Sequence, residues 1–402
     1  MPASTRIIPK VALLIETSRG YGRALLRGIV RYARLHGPWS FYLTPADFRQ
    51  VLPRMEQWGG TGIIARVETP EVARQILASR LPTVCLDLSV QQLGEHNPLS
   101  QTGEIHPDPE LAARLGADHL LERGFRQFAF VGVGGARPWS DQRQAAFVAR
   151  LAEQGFACRQ YRPPRRSKDL PYVDGRQWGR EEERLGRWLV ELPRPLGLMA
   201  CNDDRGRQVL EACRTHAIRV PEEIAVVGVD NDELLCEMAD PPLSSVALNA
   251  ERGGFEAARL LDDYMAGRAR GPRRLLVEPL HVVTRRSSDV VALEDAEVAN
   301  ALRFIREHAC TPTFQVDDVI RQGALSRRTL EIRFRRALGR SVQDEIERIR
   351  LERVKRLLAE TDAPVTRLAE LAGFNTASYM GLVFRRQTGK TPRQYRTWVR
   401  SR

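Results

Sequence analysis

The chain has 402 residues, 43% hydrophobic and 28% charged, and carries a net charge of +12 at neutral pH. That length exceeds what one core organises, so two or three domains are expected, and no apolar run approaches the roughly eighteen residues that a membrane-spanning helix needs. The six cysteines form no CxxC pair and the seven histidines do not cluster, which excludes a metal-ligand spacing and points to reduced, mostly buried thiols.

From the amino end, residues 1–10 contain no apolar signal stretch before the first strand, so a cytosolic location is expected. Apolar, β-branched runs then recur at 11–15, 41–43, 62–65, 83–86, 128–131, 196–200 and 224–229. Amphipathic helical stretches separate them at 22–35, 109–122, 142–153, 205–216 and 252–265. Such alternation predicts parallel sheets covered by helices, with enough chain for two lobes. Residues 275–283 read as a last strand. The expected organisation is a two-lobed α/β domain over 1–285, a connection over 286–293 that begins in a polar T-R-R-S-S run, and an all-α domain over 294–402.

In the helical part, 296–308 places Val298, Leu302 and Ile305 on one face, and a short helix carrying Val316, Val319 and Ile320 ends at Gly323. Ser326 is suited to cap a helix that buries Leu330, Phe334 and Leu338. A long helix over 342–359 follows, then a short one after Pro364. Thr376 is suited to cap another helix that buries Met380, Val383 and Phe384, and Pro392 opens the closing segment.

Within this region a pattern repeats at an interval of 50 positions: Gly323, Phe334, Arg335, Arg336 and Gly339 are matched by Gly373, Phe384, Arg385, Arg386 and Gly389. Each copy reads as a tight turn followed by a basic helix, the arrangement that presents a helix to the major groove of DNA. Of the net charge, +8 falls in residues 290–402, as a phosphate-binding module requires. In the first copy Ser326, Arg327, Arg328, Thr329, Glu331, Ile332 and Arg335 form the expected reading face: arginine pairs with guanine O6 and N7, and a glutamate accepts from a cytosine amine. In the second copy the face is Thr376, Ala377, Ser378 and Tyr379 with Asn375, Gly381 and Leu382; Arg385, Arg386, Lys390 and Arg393 are suited to phosphates. The long helix is expected to set the two units about one duplex turn, roughly 34 Å, apart.

These residues resemble the AraC/XylS type of transcription regulator. The motifs are Leu325-Ser326-Arg327-Arg328-Thr329-Leu330, Ile349-Arg350-Leu351, Leu368-Ala369-x-x-Ala372-Gly373-Phe374 and Gly389-Lys390-Thr391-Pro392-x-x-Tyr395-Arg396. The resemblance implies two helix-turn-helix units joined by a long helix. Leu382 departs from it, standing where many members carry a polar or basic residue.

Polar residues gather at the carboxyl ends of strands in the α/β part, where ligands of open α/β sheets bind. They are Glu16-Thr17-Ser18, Asn202-Asp203-Asp204 and Asp230-Asn231-Asp232, with Tyr21 and Arg23 close behind the first. A sugar needs carboxylates and amides for its hydroxyls, an arginine donor and an aromatic face, and Tyr21, Trp139 and Arg143 supply the last two. Taken singly, each Asp or Asn serves equally well as a turn or cap residue. The run 222–231 together with Ala200-Cys201-Asn202-Asp203 and Pro242-Leu243-Ser244-Ser245-Val246 resembles the sensor domain of lactose-repressor-like and periplasmic binding proteins. That resemblance implies ligand contact by Arg143, Asn202 and Asp230.

The order of the two parts resembles the family of xylose operon regulators. It implies a transcription activator responsive to D-xylose or a related monosaccharide, acting on promoter DNA as a homodimer with RNA polymerase as partner, without metal or cofactor. The competing readings are a repressor sensing a different sugar and an α/β enzyme fused to a DNA-binding domain. Against the enzyme, no G-x-S-x-G or H-E-x-x-H occurs, Phe384 stands where a phosphate loop ending in Gly389-Lys390-Thr391 needs glycine, and Gly132-x-Gly134-Gly135 lacks dinucleotide spacing.

Overall fold

The structure, a computed structural model, describes residues 8–43, 52–133, 137–161, 175–290 and 295–401. Gly134, Gly135 and positions 291–293 of the expected connection lie outside the described residues. The chain divides into two compact units, one comprising Met1–Asp118 with Gln127–Ser288, the other His119–Arg126 with Asp289–Arg402.

The first unit contains two six-stranded sheets among its described residues. Strands β1 (Lys10–Leu14), β2 (Ser40–Leu43), β3 (Gly62–Arg66), β4 (Thr83–Leu86) and β5 (Gly103–Pro107) build the first. Strands β6 (Gln127–Val131), β7 (Cys158–Tyr161), β8 (Leu196–Ala200), β9 (Ile224–Asp230) and β10 (Ser244–Ala247) build the second. The chain then returns, adding β11 (Arg274–Val277) to the first sheet and β12 (Val282–Val283) to the second. The orders are β11-β5-β4-β3-β1-β2 and β12-β10-β9-β8-β6-β7, parallel throughout except for β12 against β10. Strand β8, and β9 up to the Asp230 at its tip, are apolar and buried, as in other parallel sheets covered on both faces.

The strand expected over 275–283 is two strands in different sheets. Pro279 lies between them and cannot donate to a ladder, so the run breaks where the chain changes lobe. The passages between lobes run side by side: Asp108 N donates to Val277 O (2.9 Å), Leu280 N to Ala247 O (2.8 Å) and Ala247 N to His281 O (2.8 Å). Strands β5, β7 and β10 were not expected; their sequences GEIHP, CRQY and SSVA lack an apolar run. The helices Gly20–His36 and Ala250–Met265 pack with their backbones nearly touching. A Cβ on Gly28 would lie 1.9 Å from Glu251 O, and one on Gly254 1.9 Å from Leu25 O, so neither position tolerates a side chain.

The described residues of the second unit include helices Ala296–His308, Val316–Gln322, Arg327–Leu338, Val342–Glu360, Val365–Leu371, Ala377–Thr388 and Pro392–Ser401. Ser326 accepts from Thr329 N (3.3 Å) and Thr376 from Tyr379 N (3.2 Å), satisfying helix-start donors. Gly339 and Gly389 end the two basic helices at φ 71° and 70°, the left-handed conformation glycine adopts without strain. The other matched glycines differ: Gly373 has φ 77°, but Gly323 has φ −98°, so the doubled sequence pattern is not a doubled backbone turn there.

Phe334 centres one core and Phe384 another. The long helix feeds both, with Val342 and Ile346 in the first and Leu351, Val354 and Leu358 in the second. Between them Arg350 is buried, donating from Nε to Ala309 O (2.7 Å) and from Nη2 to Phe314 O (2.6 Å). His119–Arg126 was expected with the α/β part, yet it belongs to this unit. Arg126 donates to Ala337 O (2.8 Å), and Glu122 lies 2.5 Å from Arg348.

Candidate functional site

A cleft of about 670 Å³, counting its open mouth, lies between the two lobes of the first unit, within the size range of small-molecule sites. Helix Pro138–Glu153 places Trp139 and Arg143 four residues apart on one face. The Arg143 guanidinium lies over the Trp139 ring, 5.2 Å from its centroid, donates to Cys201 O (2.6 Å) and stands 3.6 Å from Asp230 at the tip of β9. Asn202 lines the cleft while its Oδ1 caps helix Asp203–Thr215 through Arg205 N (3.0 Å), which leaves its amide N–H groups for a ligand.

The opposite wall mirrors this arrangement. Asp87 follows β4 as Asp230 ends β9, and both have left-handed backbones, φ 54° and 110°. Arg66 Nε stands 3.7 Å from Asp87, His106 Nδ1 3.6 Å, and Tyr21 Oη donates to it (3.2 Å). Burial alone would raise the Asp87 carboxyl, but His106 and Arg66 hold it below the ordinary value. Burial raises Asp230 to about 6, against the opposing pull of Arg143. The lining carries Arg19, Arg66 and Arg143 against Glu16, Asp87 and Asp230, with His106 besides. This near-balanced charge suits a neutral polyhydroxy ligand better than a phosphate or carboxylate.

Of the residues singled out from sequence, Tyr21, Trp139, Arg143, Asn202 and Asp230 meet in the cleft. Ser18, Arg23 and Asp203 do not line it. Ser18 Oγ donates to Glu16, and Arg23 donates to Ser18 O (2.8 Å) and Thr17 O (3.0 Å). Asp203 is 2% exposed and accepts from Ser245 Oγ (2.5 Å) and Asp232 N (2.8 Å) beneath the strand ends. The sequence reading missed Arg66, Asp87 and His106. The polar ends of the runs 62–65 and 83–86 were the available signal for the first two; His106 sits on β5, a strand without an apolar run.

The lobes also touch around the cleft. Asp232 accepts from Gly20 N (2.6 Å), Arg19 pairs with Asp204 (3.2 Å) and Arg137 with Glu68 (3.2 Å). A Cβ on Gly20 would lie 2.7 Å from Asp232 Cγ, so glycine permits this contact.

In the second unit, Arg327, Arg328, Ile332, Arg335 and Arg336 project from the first basic helix, with Thr329 and Glu331 half-buried beside them. Arg327 pairs with Asp317 (3.0 Å) and Arg335 with Glu331 (3.9 Å). On the second basic helix, Ser378, Tyr379, Leu382 and Arg385 are exposed with Thr376, and Ala377 is half-buried. Tyr379 Oη donates to Glu347 (2.7 Å), and Arg386 stands 3.2 Å from the same carboxylate. Both side chains therefore brace the second basic helix against the long one. Lys390 lies over Trp398, 4.9 Å from the ring centroid. Arg328→Ala is expected to relax base preference at one operator position by about 1–3 kcal/mol, read by binding to a panel of single-base duplex variants. An unchanged preference removes Arg328 from the reading face.

Three stretches of the chain match known protein families. Residues 10–101 match the XylR N-terminal domain family, 117–288 the periplasmic binding protein-like domain family and 321–397 a helix-turn-helix domain family. The xylose operon regulatory protein of Haemophilus influenzae is 30% identical over 392 residues, spanning 96% of this chain and 98% of its own. That of Escherichia coli K12 is 29% identical over 390 residues, 96% of each chain. A solved structure, that of the xylose-binding transcription activator xylR, covers 97% of this chain and 98% of its own at 28% identity, with a TM-score of 0.60. No described helix is long and apolar enough to cross a membrane.

Proposed function

Since this chain belongs to the family of xylose operon regulatory proteins, and is thus a DNA-binding transcription regulator and not an enzyme, we propose that its effector is D-xylose or a close monosaccharide held in the cleft. The observation that carries this reading is the pair of arginine–aspartate couples, Arg66–Asp87 and Arg143–Asp230, on facing walls beside Trp139 and Tyr21. Each aspartate accepts from sugar hydroxyls, each arginine donates, and an aromatic ring covers C–H surface. The occupied cleft holds the lobes together and raises transcription from promoters bound by the two basic helices.

Calorimetric titration of the full chain with D-xylose, L-arabinose, D-ribose and D-glucose tests the assignment. Saturable binding with D-xylose tightest supports it, and no heat with any of the four sinks it. Homodimerisation and contact with RNA polymerase in the cytoplasm belong to the same proposal. Sedimentation with and without sugar measures the first, and a joint promoter footprint with polymerase the second.

The cleft also predicts a pH dependence. Without sugar, Asp230 holds its proton below about 6. Hydroxyls donate to the ionised form, so binding expels that proton, and affinity falls as pH drops through about 6, by up to about tenfold per pH unit. Above that value the profile flattens. Asp230→Asn keeps an acceptor but cannot titrate and should remove this slope, leaving whatever His106 contributes opposite it. A slope that survives in this variant assigns the titration elsewhere.

A further inference from the structure

Three consecutive residues at the tip of β9 serve three different neighbours. Asp230 lines the cleft beside Arg143. Asp232 reaches the other lobe, accepting from Gly20 N (2.6 Å) and standing 3.6 Å from Arg23. Asn231, between them, does not line the cleft; its Oδ1 accepts from Arg285 Nη1 (2.9 Å) and its N donates to Ser245 Oγ (3.0 Å). Asp230 and Asn231 both have left-handed backbones, φ 110° and 51°, so this corner keeps its shape only while its partners hold it.

Arg285 opens the stretch by which the chain leaves the first unit. Besides Asn231 it donates to Leu243 O (3.0 Å) and Glu237 (2.6 Å), and its own backbone N and O both bond Ser244 Oγ at 2.8 Å. The next residues read from sequence as a polar connection between domains. Instead Ser287 and Ser288 are fully buried, Ser287 Oγ donating to Val226 O (2.7 Å) and Ser288 Oγ to Ser244 Oγ (2.7 Å). The unit ends there, at Ser288.

We propose that Arg285 is the positioning residue that relays cleft occupancy to the exit segment. The inference rests on the sugar reading above. When sugar hydroxyls engage Asp230 and Asp232 seats on Gly20, the corner between them is fixed. Asn231 is fixed with it, and the Arg285 guanidinium then holds residues 285–288 in one register under β9 and β10. With the lobes apart, Asp232 loses Gly20, the strained corner relaxes, and the exit segment loses the Arg285–Asn231 bond. A ligand shifts such an equilibrium only through contacts that differ between its states, and this chain of bonds supplies that difference.

The test uses the full chain, D-xylose, and a duplex that the wild-type chain selects from a random pool. The ratio of duplex Kd without and with sugar measures the coupling. In Arg285→Ala and in Asn231→Gly, sugar affinity and sugar-free duplex affinity should stay within about threefold of wild type, while the ratio falls to within about twofold of one. By reciprocity the duplex then loses its effect on sugar affinity by the same factor. Arg285→Lys, whose single ammonium cannot fork between Glu237 on one side and Asn231 with Leu243 on the other, should restore only part of the ratio.

A role confined to stability would lower the melting temperature and both affinities together and leave the ratio intact. Should Arg285→Ala not fold, Asn231→Gly interrogates the same bond at a backbone that glycine adopts readily. A wild-type ratio retained in Asn231→Gly or in a folded Arg285→Ala overturns the relay alone. A wild-type chain that binds D-xylose but whose duplex affinity ignores it also overturns the relay alone, whereas a chain that gives no heat with any of the four sugars overturns the sugar reading and the relay with it.

Discussion

Arg143→Ala is expected to abolish sugar binding at millimolar concentrations while leaving duplex affinity at each salt concentration within about threefold of wild type. Arg143 is 4% exposed, and its guanidinium does three things at once: it neutralises Asp230, donates to Cys201 O, and stacks on Trp139. Its removal leaves a half-buried carboxylate without its counter-charge and a buried carbonyl without its donor, at a cost of about 3 kcal/mol, quite apart from the lost contact to ligand. Calorimetry with D-xylose reads the first effect, and salt-dependent mobility shifts of a selected duplex read the second. Sugar affinity within about tenfold of wild type would remove Arg143 from the site.

The complementary result is expected in the helical unit. Phe334→Ala and Phe384→Ala each empty a position of 0% exposure at the centre of a small core, and each should cost about 3–5 kcal/mol. That is a large share of the stability of any domain, so duplex binding should disappear at physiological temperature. D-xylose binding should survive, because the cleft residues belong to the other compact unit. Scanning calorimetry should show one transition lowered and the other unmoved. Joint loss of both binding activities would mean that the units do not fold independently.

How far these features stood in the sequence varied with the distance over which they are decided. The helices after residue 295 were legible almost to the residue, since Ser326 and Thr376 advertise starts and Gly339 and Gly389 advertise ends. The match between Gly323 and Gly373 promised more likeness than the backbone carries. Gly373 is pressed against Ala309 and Cys310, where a Cβ would lie 2.7 Å from Ala309 O, whereas the nearest such atom at Gly323 is 3.6 Å away. One glycine answers to a neighbouring helix, the other only to its own turn.

The polar run 284–288 looked like solvated linker because hydroxyls and guanidinium groups are usually wet. Its serines are buried all the same, since Val226 O and Ser244 supply the partners that a hydroxyl needs out of water. Arg350 was legible only as part of a family motif, and its carbonyl partners Ala309 and Phe314 explain why a charge can sit between two cores.

Caps, left-handed glycines and apolar spacing act within a turn or two of helix or a single strand, so the doubled basic helix and the polar strand tips could be read one residue after another. Nothing local fixes which lobe takes β11 and which takes β12, or brings Asp87, Arg66 and His106 opposite Arg143 and Asp230. Those meetings join segments far apart in the chain and follow from sheet order, from three passages of backbone bonded side by side, and from the burial that holds the lobes together. A side chain's charge and hydrogen-bonding capacity are its own, but what it faces is settled by the packing of everything else.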